Sequence, residues 1–258
     1  MAIKFNQKPG LVIYLTAGDP DLATSRDVAL AAIDAGAEVL ELGVPFSDPV
    51  ADGPVIQRAS ERALAQGTRL QDVLVLAAEL HALRPSAGLV IFSYFNPVLR
   101  MGLERFCAQA ANCGVDGVLA TDMIVEEADE YLAQLHHHAL APIFLAAPTS
   151  TDQRLKMIAN VSSAFVYAIS RVGITGEQQK LAADARRLVE RLRRFTQLPI
   201  AVGFGISTPE HVSAVGEFAD AAVIGSAIVS LIEKARPGKA PADVAAFLQG
   251  LRPVAVQK

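Results

Sequence analysis

Short apolar runs recur along the chain, and each is followed by a stretch in which apolar residues return every three or four positions. The first run, Leu11 to Thr16, passes through Ala17-Gly18-Asp19-Pro20 into helical spacing from Leu22 to Ala35, which Gly36 stops. The second, Ala37 to Leu42, ends on Glu41 as a strand and opens into a loop carrying Pro45, Pro49 and Pro54. Helix follows from about Val55 to Ala65. Thr68-Arg69-Leu70-Gln71 reads as a capping box for an amphipathic helix with Leu70, Val73, Leu74, Ala77 and Leu80 on one face.

The alternation continues. A third strand, Leu89 to Ser93, is followed by a Tyr94-Phe95-Asn96-Pro97 loop and a helix from about Leu103 to Asn112. A fourth, Gly117 to Ala120, precedes helix from Glu126 to Ala139. A fifth, Ile143 to Ala146, precedes a second capping box at Ser150-Thr151-Asp152-Gln153. The sixth, Ala164 to Ile169, leads through a glycine-punctuated loop to a long basic helix ending near Phe195. The seventh is Ile200 to Val202, after which Ser207-Thr208-Pro209-Glu210 supplies an N-cap and a first-turn proline. The eighth, Ala221 to Ile224, meets a helix start at Gly225-Ser226-Ala227.

Eight strands thus alternate with helical stretches, and the joints echo one another at Ala35-Gly36-Ala37, Cys113-Gly114-Val115 and Phe218-Ala219-Asp220. Strands that are apolar on both faces belong to parallel sheets covered by helices. Closed on itself, such a sheet is a TIM (β/α)8 barrel, and an open doubly wound sheet is the alternative. The chain has 258 residues, close to the roughly 250 typical of the barrel, so one domain over 1–258 is expected.

Composition narrows the function. A net charge of −4, with no basic run longer than Arg193-Arg194, provides no field for nucleic acid or an anionic membrane. The amino terminus has no apolar leader-like segment, and no apolar run is long enough to span a bilayer, which predicts a soluble cytoplasmic protein. Cys107 and Cys113 lack partners at zinc-site spacings and read as small buried hydrophobes; His136-His137-His138 and the Arg186 to Arg194 cluster read as solvated helix faces. No metal or cofactor is expected in this chain.

Chemistry in a barrel gathers in the loops after the strands, and the loops after strands seven and eight often hold phosphate. Gly203-Phe204-Gly205 and Gly225-Ser226 bare backbone N–H groups there, beside helix starts that favour an anion, and Gly176 could add a third wall. Glu41 is a carboxylate at the end of a buried strand, a placement that costs several kcal/mol unless the group is paired, hydrated or working. Asp52 returns on the following loop. Two such acids can divide proton transfer if one sits in an apolar pocket and the other is wetter. Otherwise Glu41 forms a buried salt bridge and Asp52 caps the next helix. Tyr14, Phe92, Tyr94, Tyr167 and Phe204 near the strand ends suit core packing or a flat apolar ligand.

The run Glu41-Leu-Gly-Val-Pro-Phe-Ser-Asp-Pro-Val-Ala-Asp-Gly-Pro54 resembles the tryptophan synthase alpha-subunit family. So do Leu15 to Pro20, Phe165-Val166-Tyr167, Ser170 to Gly176, Gly203 to Ser207 and Gly225 to Val229, in the same order over nearly the whole chain. The resemblance implies retro-aldol cleavage of indole-3-glycerol phosphate to indole and glyceraldehyde 3-phosphate, with indole passing to a beta subunit that alone carries pyridoxal phosphate. It implies that Glu41 is the acid and base and that Asp52 pairs with the indole N–H. It further implies that Thr175 bonds Asp52 on closure, that Tyr167 lies beside Glu41, and that Tyr14, Phe92, Leu119 and Phe204 line the indole pocket. Phosphate would be held by Gly176, Gly205, Gly225 and Ser226, and Asp48 and Asn96 would face the beta subunit. The short amino terminus lacks the helix that commonly caps the barrel bottom in the family, which leaves the closure of that end open.

Overall fold

The computed structural model describes residues 3–169, 178–203 and 205–251, and for residues 178–182 it describes the backbone only. Its parallel strands are β1 (Gly10–Thr16), β2 (Val39–Gly43), β3 (Gly88–Ser93), β4 (Gly117–Ala120), β5 (Ala141–Pro142), β6 (Leu145–Ala146), β7 (Val166–Ile169), β8 (Ile200–Gly203) and β9 (Ala221–Ile224). Their order is β5-β4-β3-β2-β1-β9-β8-β7-β6. The two ends of that series are consecutive pieces of one chain segment. Ile143 N–H donates to the Val118 carbonyl at 3.0 Å on one side, and Tyr167 N–H donates to the Phe144 carbonyl at 3.2 Å on the other. The segment therefore closes the sheet into the expected barrel.

This fifth strand differs from its prediction. It begins at Ala141 and is interrupted between Pro142 and Leu145, because Pro142 has no N–H for the β7 side and pairing there starts only at Leu145.

Alternation along each strand explains the continuous apolar runs. Leu11, Ile13, Leu15, Leu40, Leu42, Leu89 and Ile91 join the layer shared with the helices. Val12, Val39, Val90, Leu119, Ile143 and Phe165 fill the barrel interior. Each such side chain contributes roughly 1.5–3 kcal/mol relative to exposure, and a sheet buried on both faces leaves little room for a charge. The lower end is plugged by the amino-terminal segment. Ile3 and Phe5 enter the interior cluster, Phe5 meets Phe165 edge-on at 6.0 Å between centroids, and any Cβ at Gly10 would collide with the Phe5 ring.

The helices are α1 (Leu22–Asp34), α2 (Pro54–Ala65), α3 (Leu70–Leu83), α4 (Phe95–Met101), α5 (Leu103–Asn112), α6 (Asp129–His137), α7 (Asp152–Val161), α8 (Gln178–Leu192), α9 (Pro209–Gly216), α10 (Ser226–Lys234) and α11 (Ala240–Gly250). Helix α4 occupies the predicted Tyr94-Phe95-Asn96-Pro97 loop. Pro97 falls in its first turn, where the missing N–H has no intrahelical partner to lose, and Asp122 Oδ1 accepts from Phe95 N–H at 2.7 Å. Both predicted capping boxes sit one residue early. Asp72 accepts from Arg69 N–H at 2.8 Å, and Thr151 rather than Ser150 accepts from Arg154 N–H, at 3.2 Å. The predicted helix 126–139 is a short 3-10 turn, Val125–Glu127, and then α6. Helix α11, which the sequence reading leaves unassigned, packs against α1.

Candidate active site

Glu41 lies between Tyr14 on β1 and Val90 on β3 in the sheet register. It shares the inward face with Val39, two residues earlier. The side chain is fully buried, and neither carboxylate oxygen has a hydrogen-bond partner among the described residues. The salt bridge considered from sequence is absent there. Burial pushes the carboxyl pKa from its ordinary 4.5 up to about 8, because the charged form has lost water with nothing in exchange. At neutral pH the group holds its proton.

Asp52 has a different environment. It is half-buried, and its Oδ2 accepts from the Tyr94 hydroxyl at 3.1 Å. That hydroxyl accepts in turn from Ala51 N–H at 2.8 Å. Gln57 donates to the Asp52 carbonyl at 2.8 Å, and the Tyr94 ring packs on Phe46 at 4.9 Å. Asp52 does not cap α2, whose N-cap is Gly53 without a side-chain bond. Burial raises its pKa while the Tyr94 hydrogen bond lowers it, with a net rise. The two acids are thus inequivalent: one dry and unpartnered, one held by a tyrosine.

Three of the expected ring groups, Tyr14, Phe92 and Tyr167, share the interior with Glu41. Tyr14 meets Phe92 edge-on at 5.1 Å, Phe92 is in register with Leu119, and Leu119, Phe92 and Tyr167 belong to the interior cluster. Glycines make their space. A Cβ on Gly43 would collide with the Tyr14 hydroxyl, and one on Gly203 would stand 2.9 Å from the Tyr167 hydroxyl. Burial, and then the Glu41 charge, hold the Tyr167 phenol well above its usual range.

Gly205 takes φ +77° with open space at its Cβ position, a left-handed backbone that favours glycine. Gly225 is the N-cap of α10, and no side chain caps that helix. With Ser226 exposed, its first-turn N–H groups are open to an anion. A Cβ on Gly225 would lie 3.5 Å from Tyr14 Cβ, which ties this turn to the acid site. Thr175, Gly176 and Phe204 lie outside the described residues. Asp48 is exposed and accepts from Ser47 Oγ at 2.6 Å. Asn96 lines a cavity of about 740 Å³ with Phe46, Leu64, Arg69, Arg100 and Met101, apart from Glu41.

The family model described as "Tryptophan synthase alpha chain" matches residues 1–253. The chain belongs to the tryptophan synthase alpha chain family. A relative named tryptophan synthase alpha chain from Solibacter usitatus is 50% identical over 232 residues, covering 90% of this chain and 86% of that one. Another from Geobacter sulfurreducens is 44% identical over 250 residues, covering 97% and 94%. The solved tryptophan synthase subunit alpha of Legionella pneumophila superposes with a TM-score of 0.88 at 34% identity, covering 96% and 92%. Tryptophan synthase from Mycobacterium tuberculosis gives 0.85 at 33%, covering 95% and 94%. With the tryptophan synthase alpha family comes the reaction implied by the sequence, a carbon–carbon lyase step on indole-3-glycerol phosphate in tryptophan biosynthesis.

Some interactions escaped the sequence reading. Asp19, almost fully buried, receives both a 2.7 Å bond from Arg62 Nε and a 2.9 Å bond from Arg62 Nη2. Arg62 Nη1 also donates to Glu233 at 2.8 Å, and Arg58 binds that same carboxylate at 2.8 and 2.9 Å. The loop after β1, helix α2 and helix α10 are joined in this way. The arginines at the end of α8 and in the turn after it are likewise not a free solvated face: Arg191 and Arg194 bind Asp152, and Arg193 binds Asp220 and the Leu198 carbonyl. Among the described residues no group of His, Cys, Asp and Glu could hold a metal, and no helix is long and apolar enough to cross a membrane.

Proposed function

We propose that Glu41 is the proton-transfer group and Asp52 the indole-orienting group of this lyase. The observation that carries the reading is the buried, unpartnered Glu41 carboxyl, which holds a proton to about pH 8. In that state it can protonate C3 of the indole ring, making the ring an electron-poor cation. The resulting carboxylate takes the proton from the adjacent side-chain hydroxyl. The carbon–carbon bond at C3 breaks as the C=O of glyceraldehyde 3-phosphate forms, and its electron pair returns to the ring to give indole. One group serves as acid and then base because its pKa lies near the working pH.

Asp52, whose charged form the Tyr94 hydrogen bond supports against burial, accepts from the indole N–H and opposes the positive charge that builds on the ring. Tyr14, Phe92, Leu119 and Phe204 enclose the ring, and Tyr167 lies beside Glu41. Gly176, Gly205, Gly225 and Ser226 bind the phosphate through backbone N–H groups, and Thr175 bonds Asp52 on closure. Asp48 and Asn96 belong to the surface that meets a beta subunit, where the alpha-beta-beta-alpha complex consumes the indole and where the pyridoxal phosphate resides. This chain needs no cofactor of its own, works in the cytoplasm, and has no role at nucleic acid or membrane, consistent with a net charge of −4.

Indole release from indole-3-glycerol phosphate, measured together with affinity for glycerol phosphate, tests the division of roles. Asp52→Asn is expected to lower kcat on the order of a hundredfold while glycerol phosphate binds as before. Equal loss of both would make Asp52 a structural residue.

A further inference from the structure

Three phenol side chains surround the two acids: Tyr94 is bonded to Asp52, Tyr167 feels the charge of Glu41, and Tyr14 feels both. Tyr14 is the register partner of Glu41 across β1 and β2. Its ring is held by Phe92 and by Ala59 and Val229, from α2 and α10. Its hydroxyl stands over Gly43, where any Cβ would collide with it. Gly43 is two residues beyond Glu41 on β2 and on the same inward face, so the hydroxyl stands one layer of side chains toward the mouth from Glu41. Its one hydrogen-bond partner among the described residues is Thr16 Oγ1, at a long 3.3 Å. A buried donor this weakly used, beside a buried acceptor with no partner, is an unspent pair.

We propose that the Tyr14 hydroxyl is a positioning group that donates to the Glu41 carboxylate after it has given up its proton, and so holds that carboxylate beneath the substrate for the second proton transfer. This goes beyond a wall of the indole pocket and rests on Glu41 being the proton-transfer residue. While Glu41 keeps its proton, the hydroxyl rests on Thr16. Once Glu41 is charged, a charge-assisted bond outcompetes the long neutral one. Among the described residues the titratable groups facing Glu41 are Tyr14 from β1 and Tyr167 from β7, and Tyr14 in turn faces Asp52 and Tyr94. On β3 the facing residues are Val90 and Phe92, which do not titrate. Among the described residues no cationic side chain is in this set, and the hydroxyls are the stabilisers of a Glu41 charge found there.

The test is kcat and KM for indole-3-glycerol phosphate between about pH 6 and 9, with the full chain alone and with a beta chain. The Glu41 protonation state is followed in parallel by difference infrared spectroscopy of the protonated carboxyl. Tyr14→Phe keeps the ring on Phe92 and removes only the oxygen. It should lower kcat about tenfold or more, leave KM within about twofold, and move Glu41 ionisation upward in pH. Incorporation of 3-fluorotyrosine at position 14, a stronger donor in the same space, should move it downward. Unchanged kcat with unchanged ionisation in both proteins would overturn the proposal, as would a rise in KM alone, which is the signature of a pocket wall. Glu41→Gln separates the two levels: if it turns over like the wild type, the role of Glu41 itself fails. If it is inactive while Tyr14→Phe behaves normally, only the role of Tyr14 fails.

Discussion

Burying Glu41 without a partner should leave a signature in stability as well as in catalysis. Between its ordinary pKa of 4.5 and its folded value of about 8, the folded chain keeps a proton that the unfolded chain has released. Each step up in pH through that window therefore favours unfolding. At about 1.4 kcal/mol per pKa unit the ceiling is about 5 kcal/mol, a large share of the roughly 5–15 kcal/mol that holds a domain folded. Glu41→Gln has nearly the same shape and cannot ionise. Urea denaturation of both proteins at about pH 5, 7 and 9 isolates the contribution, since the Asp52 shift, which has the same sign, cancels in the difference. The variant should gain stability over the wild type by several kcal/mol as pH rises from 5 to 9. Parallel stability curves would refute the reasoning, because they would mean that Glu41 ionises in the folded chain as easily as in the unfolded one.

Other substitutions probe the scaffold. Arg62→Met leaves Asp19 buried and unpaired, so urea denaturation should register a loss of about 3–5 kcal/mol. Phe5→Ala opens the plug of the barrel bottom against Phe165; about 3 kcal/mol should be lost in the same assay, with KM and kcat of the folded protein retained because the site is at the opposite end. Gly43→Ala forces the Tyr14 ring aside and should cost about 1–3 kcal/mol together with a fall in kcat; an unchanged kcat would show that the ring position does not matter to the acid.

Most of the barrel was legible because its strands are apolar on both faces and its helices begin and end on recognisable residues. Glu41 was legible for the same reason, as the one polar side chain within Val39–Gly43. The misjudged parts have physical causes. Pro97 suggests a loop, yet a first-turn proline is compatible with helix. Pro142 breaks one side of a strand without ending it. Asp72 and Thr151 cap from positions one residue away from those the pattern favoured.

Long-range pairs left no local trace. Tyr94 lies 42 residues from Asp52, and Arg62 lies 43 from Asp19, and a lone arginine on a polar helix face looks the same whether it is solvated or clamped. Amino-terminal closure was similarly hidden, since Ile3 and Phe5 are too few to show a period. Thr175, Gly176 and Phe204 remain expectations of the family resemblance.

The chemistry of the site turns on proton transfer by Glu41. Turnover of indole-3-glycerol phosphate by the wild type and by Glu41→Gln, each with and without a beta chain, measures it directly. Loss of kcat by a hundredfold or more in the folded variant, with glycerol phosphate still bound, is the predicted result. Turnover within about tenfold of the wild type would contradict it, because deleting a general acid and base cannot cost so little.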